Sequence, residues 1–421
     1  VKETCDFLVR IPMQGWIKRT VKTCLLAPVG AVAVGAALLY VPPVQNAVLK
    51  IVLRRVSESV GMEITVGHVR LSYPLDLTLH DLSVRDSVRD TLLNVRGIAL
   101  SLQPWPLLHS EVLVSRLQID SARINSKAML EGMHLRGTVG RLGAADVELF
   151  IHSEELRLDS VILADAEVAL VIDSLMPSDT TDTTANRWRI TADRLDARRV
   201  GFTLRMPQDT LSVTSYLGDA RVEGILADLG AQRYGALLLD LRGGYAAYDG
   251  TERPRTIGLD PMHISASNIR LLADTIRYHN GDLRVALREA WFDERSGLSV
   301  TALSAYVHLD TAGVSVSRGS LRTNRSWIDL QARIPWAALT DSPTEELQAE
   351  WTAGIDGQDV LTALGEQGPK LMRAIPDSLL YLSGLVEGNV DRLRVHDITG
   401  GLPGAFTFEA YGSAEKILDE K

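Results

Sequence analysis

Cysteine and aromatic residues are scarce in this chain of 421 residues, and its 44 basic residues are outnumbered by 53 acidic ones. Its two cysteines, Cys5 and Cys24, lie near the start, which excludes a disulfide scaffold and a cysteine-rich zinc site from the remainder. The formal net charge of −9 argues against a nucleic-acid-binding protein, because neutralising phosphates needs a basic surface. Aromatic residues make up 5% of the chain and apolar residues 46%, so the apolar content is mainly aliphatic and a folded protein is expected.

Sequence motifs of catalysis are also missing. The chain contains no Gly-x-Ser-x-Gly, His-Glu-x-x-His, phosphate-binding loop or Gly-x-Gly-x-x-Gly. The segments HSEE (152–155) and HNGD (279–282) resemble turns more than sets of metal ligands. We therefore predict that the protein is not an enzyme, that it has no catalytic, cofactor-binding or metal-binding residues, and that it needs no cofactor.

One long apolar run is present, from Cys24 to Val41, and it carries no charge. At about 1.5 Å per residue its 18 residues span about 27 Å, enough to cross the hydrocarbon core of a membrane. Lys18, Arg19 and Lys22 precede it, which predicts a cytoplasmic segment 1–23, a transmembrane helix 24–41 and an exported remainder. A cleaved signal peptide and a buried core helix are the alternatives.

A second helix is predicted over residues 44–61. Apolar residues recur there at helical spacing, and Gly61 is a suitable C-cap. The predicted apolar face consists of Val44, Val48, Ile51, Val52 and Val56. This amphipathic helix would either pack on the first strands or lie at the membrane surface and close the near end of the β-rich region.

Alternation of apolar and polar residues dominates from Glu63 to Lys421 and predicts a mainly β protein with roughly 24 antiparallel strands. The alternation slips repeatedly. LTLHDLSV (77–84) and LRVHDITG (393–400) both slip at a His-Asp pair. A β-bulge explains these slips, and a metal or acid–base role for His80-Asp81 and His396-Asp397 is a weaker alternative.

Two segments interrupt the alternation. Residues 176–187 form a polar loop insertion rich in Thr and Asp, and residues near 359–375 have helical spacing that Gly368-Pro369 would break. The strands on both sides of the polar loop look alike, so we do not predict a domain boundary there.

The predicted helices are too few to cover the apolar face of so long a sheet. We therefore expect the sheet to curl into a half-pipe, or β-groove, with an apolar interior. A set of β-sandwiches with dry cores is the alternative. The residues expected to share the inner face are Leu75, Leu77, Leu79, Leu100, Leu102, Val112 and Val114.

The N-terminal part of the chain resembles the TamB family of the AsmA-like superfamily, in the variant found in Bacteroidetes-type Gram-negative bacteria. The resemblance covers roughly residues 24–125 and depends on the stretches LLYVPPVQN, GMEITVGHVRLSYPLDLTLHDLSVRD and DTLLNVRGIALSLQ. Later stretches such as LVEGNVDRLRVHDITG (385–400) are similar only in texture.

The resemblance implies a single-pass inner-membrane protein whose bulk is periplasmic and which carries phospholipids along a β-groove toward the outer membrane. The seven inner-face residues would then line the groove and contact acyl chains. The alternatives are a scaffold or chaperone for outer-membrane β-proteins and a purely structural β-rich protein. The family also contacts an Omp85-type outer-membrane protein through a C-terminal domain that we do not recognise in this sequence.

Overall fold

The protein is described by a computed structural model. The structure describes residues 40–73, 75–86, 90–103, 112–126, 133–150, 153–172, 187–250, 253, 257–340, 342–365 and 378–415. The predicted segment 1–23, most of the run 24–41 and residues 176–186 of the polar loop lie outside these ranges. None of the helices within the described ranges is long and apolar enough to cross a membrane.

The described residues form two helices and twenty strands, with short 3-10 turns at Pro207–Asp209 and Trp336–Ala338. The helices are α1 (Pro42–Val60) and α2 (Gly357–Leu364). The strands are β1 (Glu63–Thr65), β2 (His68–Ser72), β3 (Asp76–Arg85), β4 (Thr91–Leu102), β5 (Val112–Asn125), β6 (Met133–Phe150), β7 (Glu155–Ile172), β8 (Arg189–Met206), β9 (Leu211–Asp228), β10 (Arg233–Ala236), β11 (Leu238–Asp249), β12 (His263–His279), β13 (Asp282–Glu294), β14 (Ser299–Leu309), β15 (Gly313–Thr323), β16 (Trp327–Pro335), β17 (Leu347–Asp356), β18 (Leu379–Gly388), β19 (Arg392–Leu402) and β20 (Phe406–Glu415).

All twenty strands belong to one sheet, which confirms the prediction of a mainly β protein with a long antiparallel sheet. From β3 onward each strand pairs with the next in the chain, except that β10 and β11 lie end to end between β9 and β12. At the start of the sheet, β1 and β2 both pair with the same side of β3. At about 4.8 Å per strand the sheet is about 80 Å long. The alternative of separate β-sandwiches is wrong for the described residues, because a sandwich needs two sheets.

One pair departs from the predicted antiparallel order. β7 and β8 are parallel, with Leu163 opposite Ala197 and Ala166 opposite Val200. A parallel pair needs a connection long enough to return the chain to the starting end, usually a dozen residues or more. The segment between Ile172 and Arg189, which contains the predicted loop insertion, has that length.

The described residues contain fewer strands than the predicted 24, because the phase slips lie inside strands rather than between them. Asp81 lies within β3 with φ 57°, and Asp397 lies within β19 with φ 46°. A left-handed residue inside a strand bends the strand and resets its alternation. The bulge interpretation of the two His-Asp pairs is therefore confirmed at Asp397, where the β19–β20 register shifts. At Asp81 the β3–β4 register is unchanged, and the strand is kinked without an extra residue.

Such kinks line up across neighbouring strands. Ser121, Asp165 and Arg199 have φ angles of 53°, 56° and 52°, and the residue pairs on both sides of them continue in register. Together with the residues opposite them, they form a first kink line that crosses the sheet from β1 and β2 to β11. It consists of Gly67, Asp81, Arg96, Ser121, Gly140, Asp165, Arg199, Gly218 and Gly243.

A second kink line runs parallel to the first. It includes Asp146 at φ 46° and Gly224 at φ 62°. Its members are Ser115, Asp146, Asp159, Asp193, Gly224 and Leu237. Each of them is six residues along the chain from a member of the first kink line. All lie in the same strand as that member except Leu237, which directly precedes β11. At about 3.3 Å per residue the two lines are about 20 Å apart. The N-terminal half of the sheet is thus divided into three strips.

Helix α1 covers the first edge of the sheet. It begins two residues before the predicted start, with Pro42 and Pro43 in its first turn, and Gly61 caps its end at φ 69°. Gln45 is buried, and its side-chain amide donates to the carbonyl of Leu71 (3.0 Å) and accepts from the Leu71 amide (3.2 Å). The helix therefore satisfies backbone groups of β2 that an open edge would leave unpaired. Ile51, a member of the predicted apolar face, is 60% exposed and so does not pack on the described strands.

Replacing Gln45 by alanine should loosen this edge. The change leaves a donor and an acceptor of Leu71 without their partners, which costs about 1–3 kcal/mol when such groups are buried. We expect faster amide hydrogen exchange at β2 with little change in β12 to β20. Asn46→Ala is the matched control, since Asn46 is the exposed neighbour in the same helical turn. Equal exchange at β2 in both variants would contradict the role of Gln45.

Helix α2 overlaps the predicted helical segment 359–375, but it begins two residues earlier and is shorter. It begins at Gly357 with Asp356 as its N-cap, and it ends at Gly365, which has φ 58°. Residues 366–377, including Gly368-Pro369, lie outside the described ranges. Asp359 accepts a hydrogen bond from Thr323 (2.5 Å), and the Leu259 amide donates to Ala363 (3.0 Å). The helix thus lies along the ends of the later strands rather than over the face of the sheet.

Candidate functional site: the apolar face of the sheet

An unbroken row of apolar residues crosses the sheet. Directly opposite residues place Leu79 beside Ile98, Ile98 beside Ile119, and Ile119 beside Leu142. The row contains one residue from every strand from β2 to β20 except β10. It consists of Val69, Leu79, Ile98, Ile119, Leu142, Leu163, Ala197, Ala220, Leu241, Leu271, Ala290, Leu303, Leu321, Ile328, Ala353, Leu382, Gly400 and Phe408. We call the side of the sheet that carries this row the apolar face.

The seven residues predicted to share a face lie at the start of this surface. Leu77 is opposite Leu100, Leu79 is opposite Ile98, and Leu102 is opposite Val114. The Leu75 carbonyl accepts a hydrogen bond from the Leu102 amide (3.1 Å), just before β3 begins. The backbone of Val112 pairs with Leu149. The register therefore brings the seven positions into neighbouring strands, although they are only one end of a much longer surface.

The apolar face stays on one side of the sheet across the first kink line. Ala197, Ala220 and Leu241 form a buried cluster just before the line, and Val200, Leu217 and Ile269 pack against it from beyond the line. Ala197 and Val200 are three residues apart, a spacing that would put them on opposite faces of a regular strand. The left-handed residue Arg199 between them restores the alignment. The slips in the sequence thus keep one face apolar.

Several of the most buried residues of this face are alanines that lie next to the kink lines. Ala166 is 1% exposed, Ala197 4% and Ala192 5%. In contrast, the side chains of Arg199 and Asp165, which lie on the first line itself, are 59% and 54% exposed. Side chains are crowded on the inside of a bend and exposed on its outside. The buried alanines and the exposed charges therefore indicate that the strands bend toward the apolar face. Despite the length of the sheet, no large side chain in the described ranges is fully buried.

The opposite face carries the charges. Alternate positions between the two kink lines hold Arg and Asp side chains that pair with one another, and the Arg199 guanidinium lowers the pKa of Asp165 by hydrogen bonding to it. The pairs are Arg141–Asp120, Arg194–Asp196, Arg221–Asp196, Arg198–Asp219 and Arg242–Asp240. Exposed pairs of this kind contribute little stability, because water screens the attraction between the charges. Their consistent placement makes this face a solvated one.

Two open concavities lie along the sheet. One of about 1150 Å³ is at the β20 end and is lined by aromatic residues, including Trp327, Tyr381, Phe406 and Phe408. The other, of about 1220 Å³, is at the first kink line and combines apolar residues such as Phe202 with charged ones. Neither includes any of the seven predicted lining residues. The sequence analysis did not predict the aromatic concavity at β20, although the two phenylalanines of FTF (406–408) could have indicated aromatic residues on one face of a strand.

Within the described ranges no group of three or more His, Cys, Asp or Glu side chains is placed to hold a metal ion. His396 instead lies 3.5 Å from Glu387. The buried pair His263 and Asp260 (3.0 Å) belongs to the turn that starts β12. Comparisons with protein-family models and with curated proteins found no match to this chain. A functional proposal for this protein therefore depends on the geometry of the apolar face.

Proposed function

We propose that the protein is a lipid conduit, in which the sheet forms a groove whose apolar face binds the acyl chains of phospholipids. The observation that carries this proposal is the row from Val69 to Phe408, which offers apolar contact along about 80 Å, with no helix or second sheet among the described residues to cover it. An apolar surface of that extent needs a partner, because exposed patches larger than a few hundred Å² are rare on soluble monomers.

The two kink lines support a trough-shaped cross-section. The strip between them serves as the floor, and the strips on either side, bent toward the apolar face, serve as walls. A floor about 20 Å wide has room for the acyl chains of a phospholipid side by side. The head groups would remain in water at the open side of the trough, because the apolar row has no charged side chain that could bind them.

Such a groove lowers the cost of moving a lipid through water. Exposing acyl chains costs about 0.8 kcal/mol per CH₂ group. Leu, Val, Ile and Ala side chains remove this cost equally along the row and provide no polar group that would hold the lipid at one place. We therefore infer passive movement along the groove without a chemical step.

The same proposal includes an inner-membrane anchor at residues 24–41, a cytoplasmic N-terminus and a periplasmic sheet. Lys18, Arg19 and Lys22 before the apolar run support this topology. It also includes membership of the TamB family, supported by the sequence resemblance over residues 24–125. Transport would then run toward the outer membrane, where an Omp85-type protein is the proposed partner.

A scaffold for outer-membrane β-proteins is the second candidate. Strand β20 favours it, because it pairs only with β19 among the described residues and an unpaired strand edge can pair with an unfolded β-strand. Such a scaffold needs one edge, however, whereas the apolar row extends through the whole sheet. We therefore favour the conduit over the scaffold.

Native mass spectrometry of the full chain purified from membranes distinguishes the two candidates. The conduit predicts several phospholipids bound per chain, because the row is many times longer than one acyl chain. The scaffold predicts a chain without lipid that captures an unfolded outer-membrane strand peptide. This second result would contradict the conduit. Outer-face variants such as Arg198→Ala serve as controls and should retain the full lipid load.

A further inference from the structure

The concavity at the first kink line opens on the charged face of the sheet, opposite the apolar row. Ala122 and Ala166 belong to the apolar face, because they share a row with Val200, which packs on the buried cluster there. Their chain neighbours Arg123 and Glu167 therefore point to the other side, and both line the concavity. Twist makes a sheet saddle-shaped, so the outside of a bend can still be hollow across the strands.

Three arginines line this concavity from consecutive strands, Arg96 from β4, Arg123 from β5 and Arg136 from β6. Arg96 is opposite Ser121, two residues before Arg123, and Arg136 is opposite Asn125, two residues after it. The three positions thus follow a diagonal, on which successive side chains are about 7–8 Å apart. All three side chains are exposed, and none forms an ion pair with a described residue. The diagonal is therefore a row of unpaired positive charge.

Acidic side chains close to the diagonal are directed away from it. Asp81 is opposite Arg96, but its carboxylate leans toward the far side of β3. There Oδ2 is 3.3 Å from the point that a Cβ atom on Gly67 would occupy. Asp165 accepts a hydrogen bond from Arg199 Nη2 (2.9 Å). Neither carboxylate neutralises the arginines of the diagonal.

The immediate neighbours of Arg123 are neutral hydrogen-bonding groups. Asn94 is directly opposite it on β4, and Thr138 is directly opposite it on β6. An amide and a hydroxyl can both donate hydrogen bonds to an anion. Glu167 lies one strand further on, and its Cγ is 3.7 Å from the point that a Cβ atom on Gly201 would occupy, on the side away from β6. The surroundings of Arg123 therefore suit an oxyanion.

We propose that this concavity binds an anionic ligand through its phosphate groups, with Arg123 at the centre of the site and Arg96 and Arg136 on either side. A guanidinium group is planar and donates two parallel hydrogen bonds to a phosphate, which makes such contacts strong and specific. The spacing of the diagonal lets two neighbouring guanidinium groups approach one phosphate from opposite sides. This inference does not depend on lipid transport, because the site and the apolar row lie on opposite faces of the sheet.

Titration calorimetry of the full chain in a nonionic detergent tests the site, with inorganic tripolyphosphate as the probe. We expect Arg123→Gln to weaken binding by about tenfold or more, because it removes charge-assisted hydrogen bonds. Arg198→Gln is the matched control. It removes the same charge from the same face, but Arg198 is paired with Asp219 and does not line the concavity. Both arginines are exposed, so circular dichroism should show that both variants fold normally.

A second probe, glycerophosphoglycerol, distinguishes two sources of the phosphate. It is the head group of phosphatidylglycerol without acyl chains, so it cannot bind to the apolar face. Tighter binding of this probe than of tripolyphosphate would assign the site to a lipid head group, and the reverse order to a soluble phosphorylated ligand. Failure of both probes to bind, or equal weakening by Arg123→Gln and Arg198→Gln, would overturn the proposal. Lipid content measured on the same samples shows separately whether the conduit itself fails.

Discussion

Replacing Leu163 by aspartate is expected to stop phospholipid transfer while leaving the protein folded. Leu163 lies in the middle of the apolar row, between Leu142 and Ala197, and its side chain is only half-buried. An acyl chain that passes the new carboxylate must desolvate it, so transfer between donor and acceptor vesicles should slow by about tenfold or more. The empty groove leaves the carboxylate in water, and the melting temperature should fall only slightly.

Ile162→Asp is the matched control for this prediction. Ile162 is the neighbour in the same strand, lies on the opposite face and is 47% exposed. It should transfer phospholipid at the rate of the unmodified chain. If Leu163→Asp instead unfolds the protein, the apolar face is a dry core, because an unpaired charge buried there costs several kcal/mol. Normal transfer by a folded Leu163→Asp variant would also contradict the conduit.

Replacing Gly218 by alanine should cause a large loss of stability. A Cβ atom at this position would lie 2.5 Å from the Gly243 carbonyl oxygen and 2.8 Å from that of Arg242. Both oxygens belong to the backbone of the next strand at the first kink line, so neither can rotate away. We expect the free energy of unfolding to fall by about 3 kcal/mol, at the upper end of the usual cost of overpacking.

The control for Gly218→Ala is Gly143→Ala in β6. A Cβ atom there would make only ordinary contacts, at 3.9 Å from the Leu117 carbonyl oxygen and 4.0 Å from Ile162. Alanine also restricts the unfolded chain, so Gly143→Ala should be neutral or slightly stabilising. Denaturant unfolding followed by circular dichroism measures both. Similar unfolding free energies for the two variants would mean that the first kink line is not needed to hold the strands together.

The sequence was informative about alternation and its interruptions. A residue such as Asp81 can be recognised as a kink because Leu79 and Leu82 are both apolar at odd spacing, and this is a local property of the chain. The number of strands was overestimated for the same reason. Without the structure, a slip at Ser121 cannot be distinguished from the end of a strand, although β5 continues through it.

The alignment of kinks between strands could not be predicted. It depends on register, which is fixed by contacts between residues far apart in the chain, such as Asp165 with Arg199. The parallel pairing of β7 and β8 was missed because the loop between them resembles any polar connection. Local pattern thus identified the start of the apolar face, whereas its extension to Phe408 and the two kink lines required the pairing of strands.

Photo-labelling with a phospholipid that carries a photoreactive group at the end of an acyl chain tests the central claim most directly. After illumination of the full chain, peptide mass spectrometry identifies the labelled residues. We expect labels on the apolar face along the whole sheet, from Leu79 through Leu163 and Leu303 to Phe408, and none on outer-face residues such as Ile162 and Arg198. Labels confined to one end of the sheet, or equal labelling of both faces, would contradict a continuous lipid-binding groove.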